Sequence, residues 1–457
     1  QKIKNNEADK MLESPKELTG LLVQLEEQSR QNPEDTELML RLARLYVRNG
    51  DNQQAVNVFS KVLKTNPDNF AIMVELAACH IRSESYLDAQ FYLDRALELK
   101  PGFANAFITY ARMYECMGDL HKQISFMMMA ANALPEKTEI RLALAEQLKR
   151  YGDLNGAVTQ YRQILEIQPD LEIANFSLGT MLMKQNDLNG AMQCFRRIIS
   201  TNPGAFDAHF NLAGCLFRQR KYTMAITHFR MACRKSDLQA RSMYLMAQCY
   251  FKMADFDQAI VAMEKLVESD ERNVSYWKCL AEIYEAAEEF DLAVDVYRKL
   301  TILAEERAEF AVKLAENQIR AGDQARAEKT LDALFRRFPG HIEGHRILGD
   351  LYAARGQFKS ALEEYQRTLM LNENLPEVFV SMATVYRNLN DAAEEQKALQ
   401  RAIELGRETP SILLRLGELE RKLKLPASLD RFRRITELVP DTNFAREAEY
   451  YLRHKAA

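Results

Sequence analysis

His341 and His345 stand four residues apart, a spacing that puts two imidazoles on one face of a helix, as zinc sites often require. Between them lie Ile342, Glu343 and Gly344, whereas a metalloprotease HExxH needs its glutamate directly after the first histidine. His345 and His209 also share a position that Met39, Met73, Phe107 and Trp277 fill elsewhere, so packing explains both better than metal binding. Cys79, Cys116, Cys194, Cys215, Cys233, Cys249 and Cys279 are odd in number and form no CxxC pair, which argues against a disulfide framework. Free cysteine behaves as a small buried hydrophobe, and a reducing, cytoplasmic or cytoplasm-facing setting is favoured. There is no GxGxxG or GxxxxGKS/T phosphate cradle and no GxSxG elbow. We therefore expect no catalytic residue, no cofactor, no metal and no small-molecule substrate.

The elements that position these side chains follow a period of 34 residues. Pro33, Pro67, Pro101, Pro135, Pro169 and Pro203 are evenly spaced, Pro339 falls on the same ladder, and Asp237, Glu271 and Glu305 hold the rungs between. Twelve residues before each rung stands alanine, from Ala55 to Ala361, interrupted only by Gln123. Twenty-four residues before lies a second small column, which includes Ala43, Gly179, Ala247 and Gly349. Large apolar residues such as Phe59, Phe195, Phe229 and Tyr365 form a third. Small residues in fixed columns let paired helices approach closely. One such pair cannot cover its own apolar face, so its neighbours must cover it. Gly50, Gly118, Gly152, Asn186, Gly322, Gly356 and Asn390 mark turns that need a left-handed residue.

This arrangement closely resembles the tetratricopeptide repeat family. The resemblance implies an all-α chain, a right-handed α-solenoid superhelix of about 11–12 repeats with capping helices at both ends. We expect a polar segment and capping helix over 1–35, eleven repeats over 36–409, a degenerate repeat over 410–442 and a capping helix over 443–457. Ser14, Pro15 and Glu17 read as the first helix start, with Leu18, Leu21, Leu22 and Leu25 on its packed face. In the last helix, Phe444, Ala448, Tyr451 and Leu452 are expected to share the packed side.

The resemblance also places the fifth, twelfth and thirteenth residues of each first helix in a concave groove. In three central repeats these are Phe176 with Met183 and Lys184, Phe210 with Phe217 and Arg218, and Tyr244 with Phe251 and Lys252. Arg241 flanks them. The implied role is a trough that grips apolar anchors of a partner polypeptide. Outer repeats carry Val74 and Ala78, or Glu282 and Glu285, in the matching stripes. The first repeats offer Leu40, Arg44, Val74 and Ala78, which does not support the family's clamp for a terminal carboxylate. Met128 and Met129 stand where second helices usually show polar residues.

The net charge of −4 hides two adjoining blocks: residues 206–252 carry eight basic against two acidic side chains, and 253–310 carry fifteen acidic against six basic. Such a split disfavours nucleic acid and suits orientation of a protein partner or head-to-tail self-association. The reading is a non-enzymatic scaffold or adaptor for protein or peptide partners. Its alternatives are a regulatory or targeting array of a multi-domain enzyme or envelope complex, and a self-assembling structural scaffold. The chain begins at Gln1 without a methionine, which is compatible with a signal or anchor upstream.

Overall fold

The computed structural model describes residues 15–453, and among them every regular element is a helix, 26 in all. Residues 1–13 and the capping Ser14 lie outside the described residues. The chain divides into two compact units, one ending at Ala232 and the other beginning at Cys233.

In the first unit α1 (Pro15–Gln31) precedes six helix pairs. These are α2 (Thr36–Asn49) with α3 (Asn52–Thr65), α4 (Phe70–Arg82) with α5 (Tyr86–Leu99), and α6 (Ala104–Met117) with α7 (Leu120–Ala133). There follow α8 (Thr138–Tyr151) with α9 (Leu154–Ile167), α10 (Glu172–Lys184) with α11 (Leu188–Thr201), and α12 (Phe206–Arg218) with α13 (Tyr222–Ala232). The second unit holds α14 (Ser236–Lys252) with α15 (Phe256–Ser269), α16 (Val274–Ala286) with α17 (Phe290–Leu303), and α18 (Ala308–Arg320) with α19 (Gln324–Arg337). It continues with α20 (Ile342–Ala354) and α21 (Phe358–Leu371), α22 (Pro376–Asn388) and α23 (Ala392–Glu404), α24 (Pro410–Lys422) and α25 (Ser428–Leu438), and ends on α26 (Asn443–Arg453). Within each unit every helix packs on the one before and the one after.

The small columns exist because large rings lie against them. A Cβ built on Gly179 would meet Cε1 of Phe195 at 2.9 Å, and one on Gly349 would meet Cε1 of Tyr365 at 2.6 Å. Both rings are fully buried, so neither has room to retreat. Gly50, Gly118, Gly152, Gly322 and Gly356 adopt the expected left-handed φ of 74–92°, as do Asn186 at 64° and Asn390 at 59°. The same column is left-handed at Glu84, Arg220, Ala254, Glu288 and Lys424, which the residue types did not suggest. At most turns with an aspartate next in the chain, that side chain caps the second helix: Asp119, Asp153, Asp187, Asp255, Asp323 and Asp391 each accept from the backbone N–H three residues on.

At the N-terminal end, Leu22 and Leu25 are buried against Leu42 and Leu45, with Leu18 and Leu21 half-buried beside them. At the other end Tyr451 and Leu452 pack against Phe432 and Ala448 as expected, but Phe444 does not. Phe444 is 39% exposed and Ala445 is buried in its place. At about 100° per residue Phe444 and Ala445 flank Ala448 on opposite sides, and the packing against Phe432 takes the side with Ala445. Met128 and Met129 are each 45% exposed, so they fill no gap in the core.

Candidate partner-binding groove

The expected groove residues fall on both units. In the first, Phe176 and Phe210 occupy equivalent places on α10 and α12, whose helices touch directly. Each ring is half-buried because its inner edge meets a fully buried ring of its own hairpin. Phe176 lies edge-on to Phe195 at 6.0 Å between centroids, and Phe210 edge-on to Phe229 at 5.7 Å. Two turns further on, Met183 and Phe217 are again half-buried, with Phe217 edge-on to Tyr222 at 5.6 Å. Arg218 reaches back from the end of α12 and donates through Nη1 to the Met183 carbonyl at 3.2 Å. That carbonyl is in the last turn of α10, where a cation is favoured. Lys184 is exposed and makes no ion pair with a described residue. The first unit thus brings four apolar side chains and two cations together on adjacent first helices.

In the second unit Arg241, Tyr244, Phe251 and Lys252 all lie on α14. Tyr244 packs against Tyr276 of α16 at 5.7 Å, and Phe251 against Phe256 of α15 at 6.2 Å. Lys252 places its Nζ over the Phe251 ring at 5.7 Å, a cation–π contact. Burial is the main cause that pushes the Tyr244 hydroxyl above its ordinary pKa, with Cys279 next. Tyr244 and Phe251 are half-buried and Lys252 and Arg241 are exposed.

The residues first considered for chemistry have structural partners. His345 is buried, stacks on Phe335 at 4.0 Å, and has Nδ1 2.6 Å from Glu364 and Nε2 2.9 Å from the Pro339 carbonyl. His341 accepts instead from the Gly344 N–H and caps α20, so the two imidazoles do not converge. His209 packs with Nδ1 2.9 Å from Nδ1 of His228 and Nε2 3.2 Å from the Pro203 carbonyl. Cys79, Cys194, Cys215, Cys249 and Cys279 are buried, and burial pushes the Cys79 thiol up to about 11 and the Cys249 thiol to about 12. Such thiols are poor nucleophiles at neutral pH. Among the described residues no group of three His, Cys, Asp or Glu could hold a metal ion, and no helix is long and apolar enough to cross a membrane.

A recurrent contact escaped the sequence reading. The residue at the place of His209 and His345 donates to the carbonyl six residues earlier in other repeats too. Asn175 reaches the Pro169 carbonyl at 2.8 Å, Trp277 the Glu271 carbonyl at 2.9 Å, and Arg141 the Pro135 carbonyl at 3.4 Å. The signal was present as a column of large side chains, but a column of mixed residue types does not announce a shared hydrogen bond.

Helix hairpins stacked in register, with small residues facing buried rings, define a helical repeat protein. Family models described as tetratricopeptide repeat match residues 47–106, 244–308 and 312–376, and one described as anaphase-promoting complex, cyclosome, subunit 3 matches 183–266. The chain belongs to the tetratricopeptide repeat family. It is 28% identical over 118 residues to cellulose synthase operon protein C of Pseudomonas fluorescens (strain SBW25), which spans 25% of this chain and only 9% of that protein. Among solved structures, one of Naa15/Naa10 bound to HypK-THB is similar with a TM-score of 0.49 and 14% identity, covering 87% of this chain and 68% of that one. The yeast Tom70 structure gives a TM-score of 0.38 and 16% identity, covering 92% and 95%.

Proposed function

We propose that this chain is a non-enzymatic scaffold that holds a partner polypeptide against the first helices of its repeats. In this reading residues 36–409 supply eleven repeats, 410–442 a degenerate one, and the flanking helices cover the ends. The observation that carries the proposal is the half-buried set of Phe176, Met183, Phe210 and Phe217 on adjacent helices, with Phe176 and Phe210 edge-on to fully buried rings. Rings held by the core lose little side-chain freedom when a partner covers them, which suits binding anchors. Lys184, Arg218, Arg241 and Lys252 favour partners that carry acidic groups beside their apolar anchors. Tyr244 and Phe251 hold the matching positions of α14 in the second unit.

The test is an affinity pull-down with wild type, Phe210→Glu, Phe217→Glu and Lys184→Glu, with helicity checked by circular dichroism. Loss of a central anchor is expected to cost about 2 kcal/mol, roughly a thirtyfold loss of capture. Lys184 is exposed, so Lys184→Glu separates lost binding from lost folding. Capture that survives all three substitutions refutes the site.

A second reading has the array as the regulatory or targeting part of a larger enzyme or envelope complex. It draws support from the partial likeness to cellulose synthase operon protein C. The amino-acid sequence on either side of this chain tests it: a catalytic domain or anchor there supports the reading, and its absence removes it.

A further inference from the structure

One cavity in the second unit differs in its lining from the clefts of about 860 and 620 Å³ that open at the equivalent places beside Met39 and beside His345. It has a volume of about 730 Å³ and lies between the second helices α17 and α19, over the start of α18. Three places that neighbouring repeats fill with large side chains are small there. Ala311 stands where the repeats on either side have Trp277 and His345. Thr301 stands where the next repeat has Phe335, the ring that stacks on His345. Ala333 stands where the previous repeat has Lys299, whose Nζ sits 4.0 Å from the centre of the Trp277 ring. This repeat therefore lacks the large side chains that its neighbours place along the same cleft.

The walls say what would fill it. Leu314, Leu334 and Phe338 supply an apolar floor. Arg298, Arg307, Arg326, Lys329 and Arg337 line the rim against a single acidic residue, Glu305. The four arginines are paired with exposed carboxylates, Asp295, Glu309, Asp323 and Glu305. Exposed pairs of this kind contribute little and exchange readily for another anion. Lys329 has no such partner among the described residues. The Glu305 carbonyl adds a directional cue. It is equivalent to the Glu271 carbonyl that accepts the indole N–H of Trp277, and Ala311 has no group to donate to it.

We propose that this cavity binds an acidic peptide segment through a tryptophan side chain, which takes the space and the carbonyl that Trp277 takes in its own repeat. Carboxylates flanking the tryptophan meet Arg298, Arg326 and Lys329 at the rim. This site is independent of the first-helix groove, and neither depends on the other.

The probe is a fluorescein-labelled Glu-Glu-Trp-Glu-Glu peptide, titrated with the full chain and read by fluorescence anisotropy. Wild type is expected to bind saturably, more weakly at higher salt, and to ignore the same peptide with alanine in place of tryptophan. Ala311→Trp fills the cavity with the side chain found one repeat earlier, and should bind at least about tenfold more weakly, the loss expected on excluding one aromatic anchor. The double substitution Arg326→Glu and Lys329→Glu lies on the exposed rim and should show a loss of the same order. A wild type that does not bind saturably, or a loss under tenfold in Ala311→Trp, overturns the proposal. If Ala311→Trp fails to fold by circular dichroism, undiminished binding by the rim double variant overturns it.

Discussion

Replacing Gly349 by alanine adds one methyl group to the interior of α20, and two opposed effects follow. In an exposed helix interior the change would stabilise by about 1 kcal/mol, because alanine loses less backbone freedom. At this position the new Cβ would lie 2.6 Å from Cε1 and 2.8 Å from Cδ1 of Tyr365. Tyr365 is 1% exposed, packs among Met382 and Leu399, and donates its hydroxyl to Asp350 at 2.7 Å. The ring is held at both ends, so the backbone or the pair of helices must shift, at a cost of about 1–3 kcal/mol. The net change is a destabilisation of roughly 0–2 kcal/mol once the propensity gain is set against it. Gly214 supplies the control: it lies in the interior of α12 with nothing within 4 Å of a Cβ. Gly214→Ala should stabilise by about 1 kcal/mol, so the two variants differ by about 1–3 kcal/mol. Native-state amide exchange of α20 and α12, each against wild type, reads the difference locally and needs no all-or-none unfolding. If Gly349→Ala slows exchange in α20 as much as Gly214→Ala does in α12, the close approach of helix and ring is wrong.

Ala254 is exposed and held at φ 59°, so Ala254→Gly relieves about 1–2 kcal/mol of left-handed strain but loosens the unfolded chain by about 0.4–1 kcal/mol. The expected result is a gain of roughly 0–1.6 kcal/mol in the urea denaturation of the second unit, and a loss of stability would show that the turn imposes no strain. Burial, then His209, then Arg196 hold the His228 imidazole below its ordinary pKa of 6.5. The unfolded chain then binds the proton more readily, so this contribution is complete above about pH 6.5 and is lost as the pH falls toward the folded pKa. Denaturation midpoints of the first unit at pH 7.5 and 5.5 should show this loss, and His228→Gln should reduce the difference between them.

The helix pairs were legible because a 34-residue period repeats small and large residues at fixed offsets, and close packing leaves few substitutes for either. The small column was read as room for a partner helix, and Gly179 under Phe195 and Gly349 under Tyr365 show that the room is taken by a ring. The left-handed turn was legible only where glycine or asparagine marks it. Glu84, Arg220, Ala254, Glu288 and Lys424 adopt it too, because the hydrogen bonds that end one helix and begin the next set the geometry whatever the residue. Phe444 was misplaced because a short terminal helix offers two apolar faces, and packing chose the one with Ala445 and Ala448. The groove stripe was legible as a pattern of aromatic residues. Its half-burial was not, since that depends on Phe195 and Phe229 in the second helices.

Burial and regularity bear differently on the two sites. Phe176 and Phe210 follow the repeat, and each finishes the core of its own hairpin, so part of their presence is explained without a partner. Substituting them perturbs folding and binding together, which is why exposed Lys184 must be tested beside them. The cleft over Ala311 recurs along the stack, and its small lining residues are what depart from the repeat. With alanine at 311, Leu314, Leu334 and Phe338 line an open cleft, and the Glu305 carbonyl lacks the donor that Trp277 gives to Glu271. A stable stack gains nothing from that loss. A stack that receives an aromatic group from another polypeptide regains both the apolar contact and the hydrogen bond, and the basic rim selects which polypeptide can bring it.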